Sequence, residues 1–341
     1  MRQIQTGGFA LFTIGLVLLS SIAFAQDNNS VVNANNQFAF DLYAKYKSKD
    51  GNIFYSPYSI TSALAMTYEG AIGETAEEMK AVFHSPQDSA IRRDSFLKID
   101  QKINKKDKKY KLNIANALWA QKDYKFLDDY FGLVEKYYGG KVTNLDFANE
   151  TEKSRLTINS WVEEQTNNKI KDLIPQGVLQ PITRLVFTNA IYFKGLWLKQ
   201  FDKKDTQEED FRIGPANKIK TQMMHLTGEE ANFNYGETDN LQILELPYEG
   251  NDLSMLILLP KEDDLKVIEE SLNSERLSEW KNLLRNEEVN VYLPRFKFET
   301  KYFMAKDLVN LGMPTAFTLG IDYGGKADFS GMTGNKKLNI D

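Results

Sequence analysis

Apolar residues recur at Phe38, Leu42 and Tyr46, a spacing of i, i+4, i+8 that lines one face of a helix. Ser56 before Pro57 reads as a helix opening, with a hydroxyl at the N-cap and a proline where no amide donor is needed. The helix predicted over 58–68 is rich in Ser, Thr and Ala, side chains small enough to let it lie close under a sheet. Thr75 with Glu78 has the spacing of a capping box for another short helix, and Ile158, Trp161 and Val162 share one face of a further helix. The second half changes period. Residues 185–187 and 190–193 make a long apolar run with Thr188 and Asn189 inside it. Leu253 to Leu259 is apolar almost throughout, the pattern of a strand buried on both faces, and Pro260 ends it. From Val289 to Phe298 the pattern alternates, with Val289, Val291 and Leu293 on one side, until Pro294 breaks the run in two. Helices first and strands later predict an α+β fold with large sheets.

Residues 1–25 form a separate object. Arg2 supplies a positive start, Phe9 to Phe24 is apolar apart from small or hydroxyl residues, and Ala23-Phe24-Ala25 is an A-x-A cleavage signature followed by a polar stretch from Gln26. The reading is a signal peptide removed before Gln26. The alternative is an uncleaved anchor, for which the apolar stretch is short. No later segment is long and apolar enough to cross a membrane, so no membrane partner is expected. The expected localisation is secreted, extracellular or periplasmic.

A length of 341 residues would suggest about two domains at ~150 residues each. No repeat, low-complexity tract or linker interrupts Val31 to Asp341, which favours one continuous domain over residues 26–341. Loss of the leader removes Arg2 and no acid, leaving 41 basic against 47 acidic residues, a net charge of −6. That balance favours solubility and gives no overall attraction to nucleic acid. With no cysteine, an exported chain must draw its stability from a packed core, and thiol catalysis and Cys-ligated metals are excluded.

Catalytic and cofactor motifs are absent. The only histidines, His84 and His225, have no G-x-S-x-G elbow beside them, and there is no H-E-x-x-H, Walker loop, G-x-G-x-x-G or EF-hand loop. No cofactor is expected, and an enzyme is the weakest of the functional readings. Lys102, Lys105, Lys106, Lys108, Lys109 and Lys111 cluster around Asp107. They read either as a polyanion-binding patch or, preferably, as a solvated helix end, since an acid intervenes and no arginine is present. Asn189, inside an apolar strand, must find partners or cost a few kcal/mol.

Seven collinear segments carry a family resemblance. Gly51 to Ile60 running on to Thr75, Leu112 to Trp119, Ile158 to Glu163 with Thr166, Lys169 and Ile170, and Asn189 to Trp197 are followed by Leu246-Pro247-Tyr248 with Leu253-Ser254-Met255, by Leu293 to Lys297, and by Ala327 to Met332. Together they resemble the serpins, protease inhibitors of the loop-insertion type, over nearly the whole chain after the leader.

The resemblance implies an α+β fold of three β-sheets with about nine helices, held in a metastable state. It also implies a partner, a serine protease or, as a second class, a cysteine protease, trapped as a 1:1 covalent complex while a cleaved loop enters the main sheet as a new strand. Ser56, Ser59 and Asn189 match the family's shutter under the centre of that sheet. Trp197, Thr206 and Arg295 match the breach, where insertion begins. A non-inhibitory serpin acting as carrier, chaperone or storage protein is the alternative. In the family a further strand, the reactive-centre loop and several core strands follow the region of Leu338 to Asp341. As given, the domain is expected to lack these C-terminal strands and that loop, and so to leave the edges of 241–246 and 253–259 without partners.

Overall fold

The computed structural model describes residues 2–5, 18–19, 31–49, 51–105, 108–213, 217–262, 265–297 and 299–340. The cleavage signature at residues 23–25, together with Lys106, Phe298 and Asp341, lies outside them. The helices are α1 (Val31–Tyr46), α2 (Pro57–Tyr68), α3 (Gly73–Val82), α4 (Ser89–Ile103), α5 (Asp128–Tyr138), α6 (Thr151–Gln165), α7 (Lys266–Ser271), α8 (Ser274–Asn282), α9 (Ala305–Leu311) and the single turn α10 (Ser330–Thr333). The strands are β1 (Arg2–Gln5), β2 (Leu18–Leu19), β3 (Lys111–Gln121), β4 (Gly140–Leu145), β5 (Leu185–Lys194), β6 (Thr206–Arg212), β7 (Lys218–Leu226), β8 (Asn232–Glu237), β9 (Leu241–Pro247), β10 (Leu253–Pro260) and β11 (Arg285–Pro294). They group into two compact units, neither continuous in sequence. One comprises residues 1–26, 39–56 and 195–302; the other comprises 27–38, 57–194 and 303–341.

The first unit holds eight strands in the order β2-β10-β9-β8-β11-β7-β6, with β1 added to β11. β11 serves two sheets. Its first part, Arg285 to Glu288, pairs with β8, and its second, Val291 to Pro294, pairs with β7. This strand begins four residues before the alternating run at Val289, because pairing with β8 recruits the polar Arg285 to Glu288 that periodicity alone leaves out. Val289, Val291 and Leu293 are all buried, as expected.

β10 is sandwiched, as its apolar run predicts. Leu256 faces Leu241, Ile243, Ile268 of α7 and Leu277 and Trp280 of α8, while Ile257 and Leu259 join Tyr235, Leu244, Leu246 and Val291 on the opposite side. Its outer edge is met at Leu253 and Ser254 by β2, and β1 runs parallel to Val289–Tyr292 of β11.

The second unit is built on the sheet β4-β3-β5. β3 and β5 are antiparallel with Ala115 opposite Ala190 and Asn116 opposite Asn189, and β4 runs parallel to β3. α6 covers this sheet, putting Ile158 against Ala117, Trp119, Phe147 and Ile174, with Trp161 alongside. The start of β4 is fixed by a close approach: a Cβ on Gly140 would stand 2.6 Å from Val134 Cγ1, so only glycine follows the left-handed Gly139 (φ 61°) there. Phe38, Leu42 and Tyr46 of α1 are all buried.

The capping box expected at Thr75 and Glu78 does not form. Both residues lie inside α3, whose N-cap, Ile72, carries no side-chain bond. Thr75 is fully buried and accepts the Asp328 amide at 3.0 Å, and Glu78 accepts the amide and hydroxyl of Thr315 at 2.8 Å. Tertiary partners took both side chains.

Candidate functional site: a polar network under the three-stranded sheet

α2 is short of large side chains, and Ser59 and Ser62, one turn apart, both reach Asn189 on β5. The Asn189 amide donates to Ser62 Oγ at 3.0 Å and to Asn116 Oδ1 at 2.7 Å, and its carbonyl oxygen accepts the Ser59 hydroxyl. Asn116, buried on β3, donates its own amide to the Tyr138 carbonyl at the end of α5, at 2.8 Å. Ser62 turns back to the Ser59 carbonyl at 3.1 Å. Every polar atom of the Asn189 side chain is used, which removes the desolvation cost of an amide inside an apolar strand.

Of the residues matched to the shutter, Ser59 and Asn189 are in direct contact, while Ser56 is half-buried immediately before α2 and grouped with the other unit. Sequence reasoning missed Asn116, Ser62 and Tyr138. Asn116 was detectable on the same ground as Asn189, a carboxamide among apolar neighbours in 112–119.

The residues matched to the breach lie in the first unit. Trp197 forms an isolated bridge with Tyr248 and stacks on its ring at 4.4 Å and 12°, with Phe201 edge-on at 6.4 Å. It packs against the cluster that holds Leu246, Ile257 and Leu293. Burial pushes the Tyr248 phenol up to about 12. Thr206 opens β6 opposite Met224 of β7, and Arg295, exposed, follows β11 with its amide on the Gln222 carbonyl at 2.8 Å. Thr206 and Arg295 therefore lie on the two edges of β7, opposite positions two residues apart.

Of the basic cluster, Lys102 lies in the last turn of α4, where a cation meets the negative end of the helix dipole. Asn104 ties that end to β3, exchanging bonds of 3.2 Å with Ile114. Lys108 reaches the Leu112 carbonyl at 3.3 Å and lies over the Tyr110 ring, while Lys105, Lys109 and Lys111 are exposed. His225 Nε2 stands 2.9 Å from Glu209 on the neighbouring strand, with the Tyr292 ring edge-on, and His84 is exposed at the end of α3. Among the described residues, no three His, Cys, Asp or Glu gather as a metal site would require, and no helix is long and apolar enough to cross a membrane.

The family model described as serpin (serine protease inhibitor) matches residues 33–341. The chain belongs to the serpin family. Human (Homo sapiens) Serpin B3 is 43% identical over 331 residues, covering 91% of this chain and 83% of that protein. Leukocyte elastase inhibitor A from Rattus norvegicus is 39% identical over 320 residues, covering 90% and 82%. Among solved structures, ovalbumin from the emu (Dromaius novaehollandiae) superposes with a TM-score of 0.85 at 34% identity, covering 92% of this serpin and 84% of that chain. The serpin fold expected from the sequence is thus the fold observed. The sheet divided at β11 and the separate β4-β3-β5 sheet make its three sheets, with ten α-helices among the described residues. Proteins of this family commonly act on proteases as inhibitors.

Proposed function

We propose that this serpin is an exported inhibitor of serine proteases, with cysteine proteases as a second target class, acting by loop insertion and covalent trapping. The observation that carries the reading is Asn189, a carboxamide in the middle of an apolar strand satisfied only by side chains of two other elements. Such a lock holds a sheet closed at modest net cost and can reopen, because each of its bonds is worth only about 1 kcal/mol against water. In this reading Ser56, Ser59 and Asn189 act as the shutter. Trp197, Thr206 and Arg295 mark where a strand first enters. The lysines from Lys102 to Lys111 remain a solvated helix end.

The test is to express the full-length protein from its natural coding sequence, mix it with a panel of serine and cysteine proteases, and separate the products on denaturing gels. A complex at the summed mass that survives detergent is expected with at least one of them. Cleavage of the serpin by every protease with no such complex would instead support a carrier, chaperone or storage role. Export makes a separate expectation: N-terminal sequencing of the secreted protein should begin at Gln26, and a secreted chain beginning at Met1 would overturn it.

A further inference from the structure

The polar network does not end at Tyr138. Its carbonyl holds Asn116, while its hydroxyl donates to Glu69 Oε1 at 2.6 Å. Glu69 directly follows α2 and keeps the helical bond from its amide to the Ala65 carbonyl. Its side chain is 1% exposed. Two arginines of α4 clamp it, one on each oxygen: Arg92 donates Nε and Nη2 to Oε1 at 3.1 and 2.8 Å, and Arg93 donates Nε and Nη2 to Oε2 at 3.1 and 2.7 Å. Arg92 is itself buried, over the Tyr68 ring and on the Pro86 carbonyl.

The bonds therefore form a closed circuit. It leaves α2 at Glu69, passes through Tyr138, Asn116 and Asn189, and returns to α2 at Ser59 and Ser62. The bonds from Ser59 to the Tyr138 carbonyl strengthen one another in a low-dielectric interior, and Tyr138 joins them to Glu69 through its own covalent frame. Among the described residues, Tyr138 alone serves the carboxylate with its side chain and the sheet with its main chain. Its ring lies 5.0 Å from Phe96, and Gly139 and Gly140 fix its backbone where α5 turns into β4.

We propose that Tyr138 is a positioning residue for sheet opening, through which the Glu69 carboxylate, clamped by Arg92 and Arg93, sets how readily the Asn116–Asn189 pair parts from α2. The role in inhibition rests on the loop-insertion reading above; the coupling itself stands on the geometry. The charged and titratable groups facing Glu69 are Arg92 and Arg93 from α4, Tyr130 and Tyr138 from α5 and Tyr68 beside it, with Lys80 and Glu77 of α3 next to Tyr68. Protonating Glu69 weakens the acceptor that the phenol and both arginines share, so acid releases the circuit at the same point as removal of the phenol.

The experiment is hydrogen exchange on the full chain, read at residues 115–117 and 188–190 and corrected for intrinsic rates. Three variants are compared with it: Tyr138→Phe, which keeps the ring and the carbonyl; Glu69→Gln; and Val162→Ala, which removes buried methyl groups from α6 and touches no member of the circuit. At pH 7, Tyr138→Phe should exchange about tenfold faster at those two segments, the effect of losing a hydrogen bond to a charged group, and Glu69→Gln faster still, because it also leaves the buried Arg92 without its carboxylate. Val162→Ala should show no such selectivity. On acidification the wild-type protein should converge on Tyr138→Phe, while Glu69→Gln keeps its own corrected rate. Equal rates in Tyr138→Phe and wild type, an even rise across the unit as in Val162→Ala, or a wild-type difference that persists into acid would each overturn the coupling. A full-length serpin that traps no protease would defeat the inhibitory reading and leave the exchange result standing.

Discussion

Trp119→Ala is expected to cost the protein about 3–5 kcal/mol, the range for deleting a large aromatic side chain from a packed core. Trp119 is 3% exposed on β3, meets Trp161 of α6 edge-on at 5.6 Å and packs with Phe147, Ile158 and Ile174. Its indole Nε1 also donates to Thr188 Oγ1 at 2.9 Å, and Thr188 is buried. Truncation therefore leaves a cavity under α6 together with a hydroxyl short of a donor, which adds roughly 1 kcal/mol. Trp119→Phe should keep most of the packing and lose the bond, so it should fall between the two. Denaturant midpoints at constant m-value measure both. A loss below ~1 kcal/mol for the alanine variant, the size of an ordinary substitution, would mean that α6 does not depend on this contact.

Arg92→Leu should be of similar size, about 3–5 kcal/mol at neutral pH, because it strips one of two arginines from a carboxylate that cannot reach water. This effect carries a pH signature. Burial alone would raise the Glu69 carboxyl, but the bonds from Arg93, Arg92 and Tyr138 outweigh it and hold the group below its ordinary value. A folded value below the unfolded one, about 4.3, means that the stabilisation is fully present above that pH and is lost as pH falls through the folded value. In Arg92→Leu the burial penalty is less opposed, so protonation relieves the variant more than the wild type. The gap between them should narrow from pH 7 to pH 4. A gap that stays constant would show that Glu69 is not the source of the loss.

Much of the fold was legible because burial imposes a period. Phe38, Leu42 and Tyr46 have the spacing of a helix face, and the nearly continuous apolar run from Leu253, ended by Pro260, has the pattern of a strand covered on both sides. What was illegible depended on partners far along the chain. Thr75 and Glu78 have the same spacing whether their bonds are local or, as found, go to Asp328 and Thr315. Asn189 announced itself by polarity, and Asn116 carried the same signal, falling in the buried phase of β3 with Leu112 and Ile114, but nothing in the sequence says that the two meet. Glu69, Arg92 and Arg93 look like ordinary surface charges in sequence. Only the docking of α4 beside the end of α2 turns them into a buried clamp.

The discontinuity of the two units bears on how the protein is made. The unit that includes Ala39–Ser56 takes β6 to β11 from residues 195–302, roughly 140 residues later. Closing a loop of that length costs ~4 kcal/mol before any strand pairs. At ribosomal speeds the first segment waits on the order of ten seconds for its partners to emerge. Throughout that wait the unit that holds 39–56 lacks the strands of residues 195–302, and α1 has its residues divided between the two units. The unit that takes its strands from residues 195–302 is thus kept open by its own topology until those residues have been made.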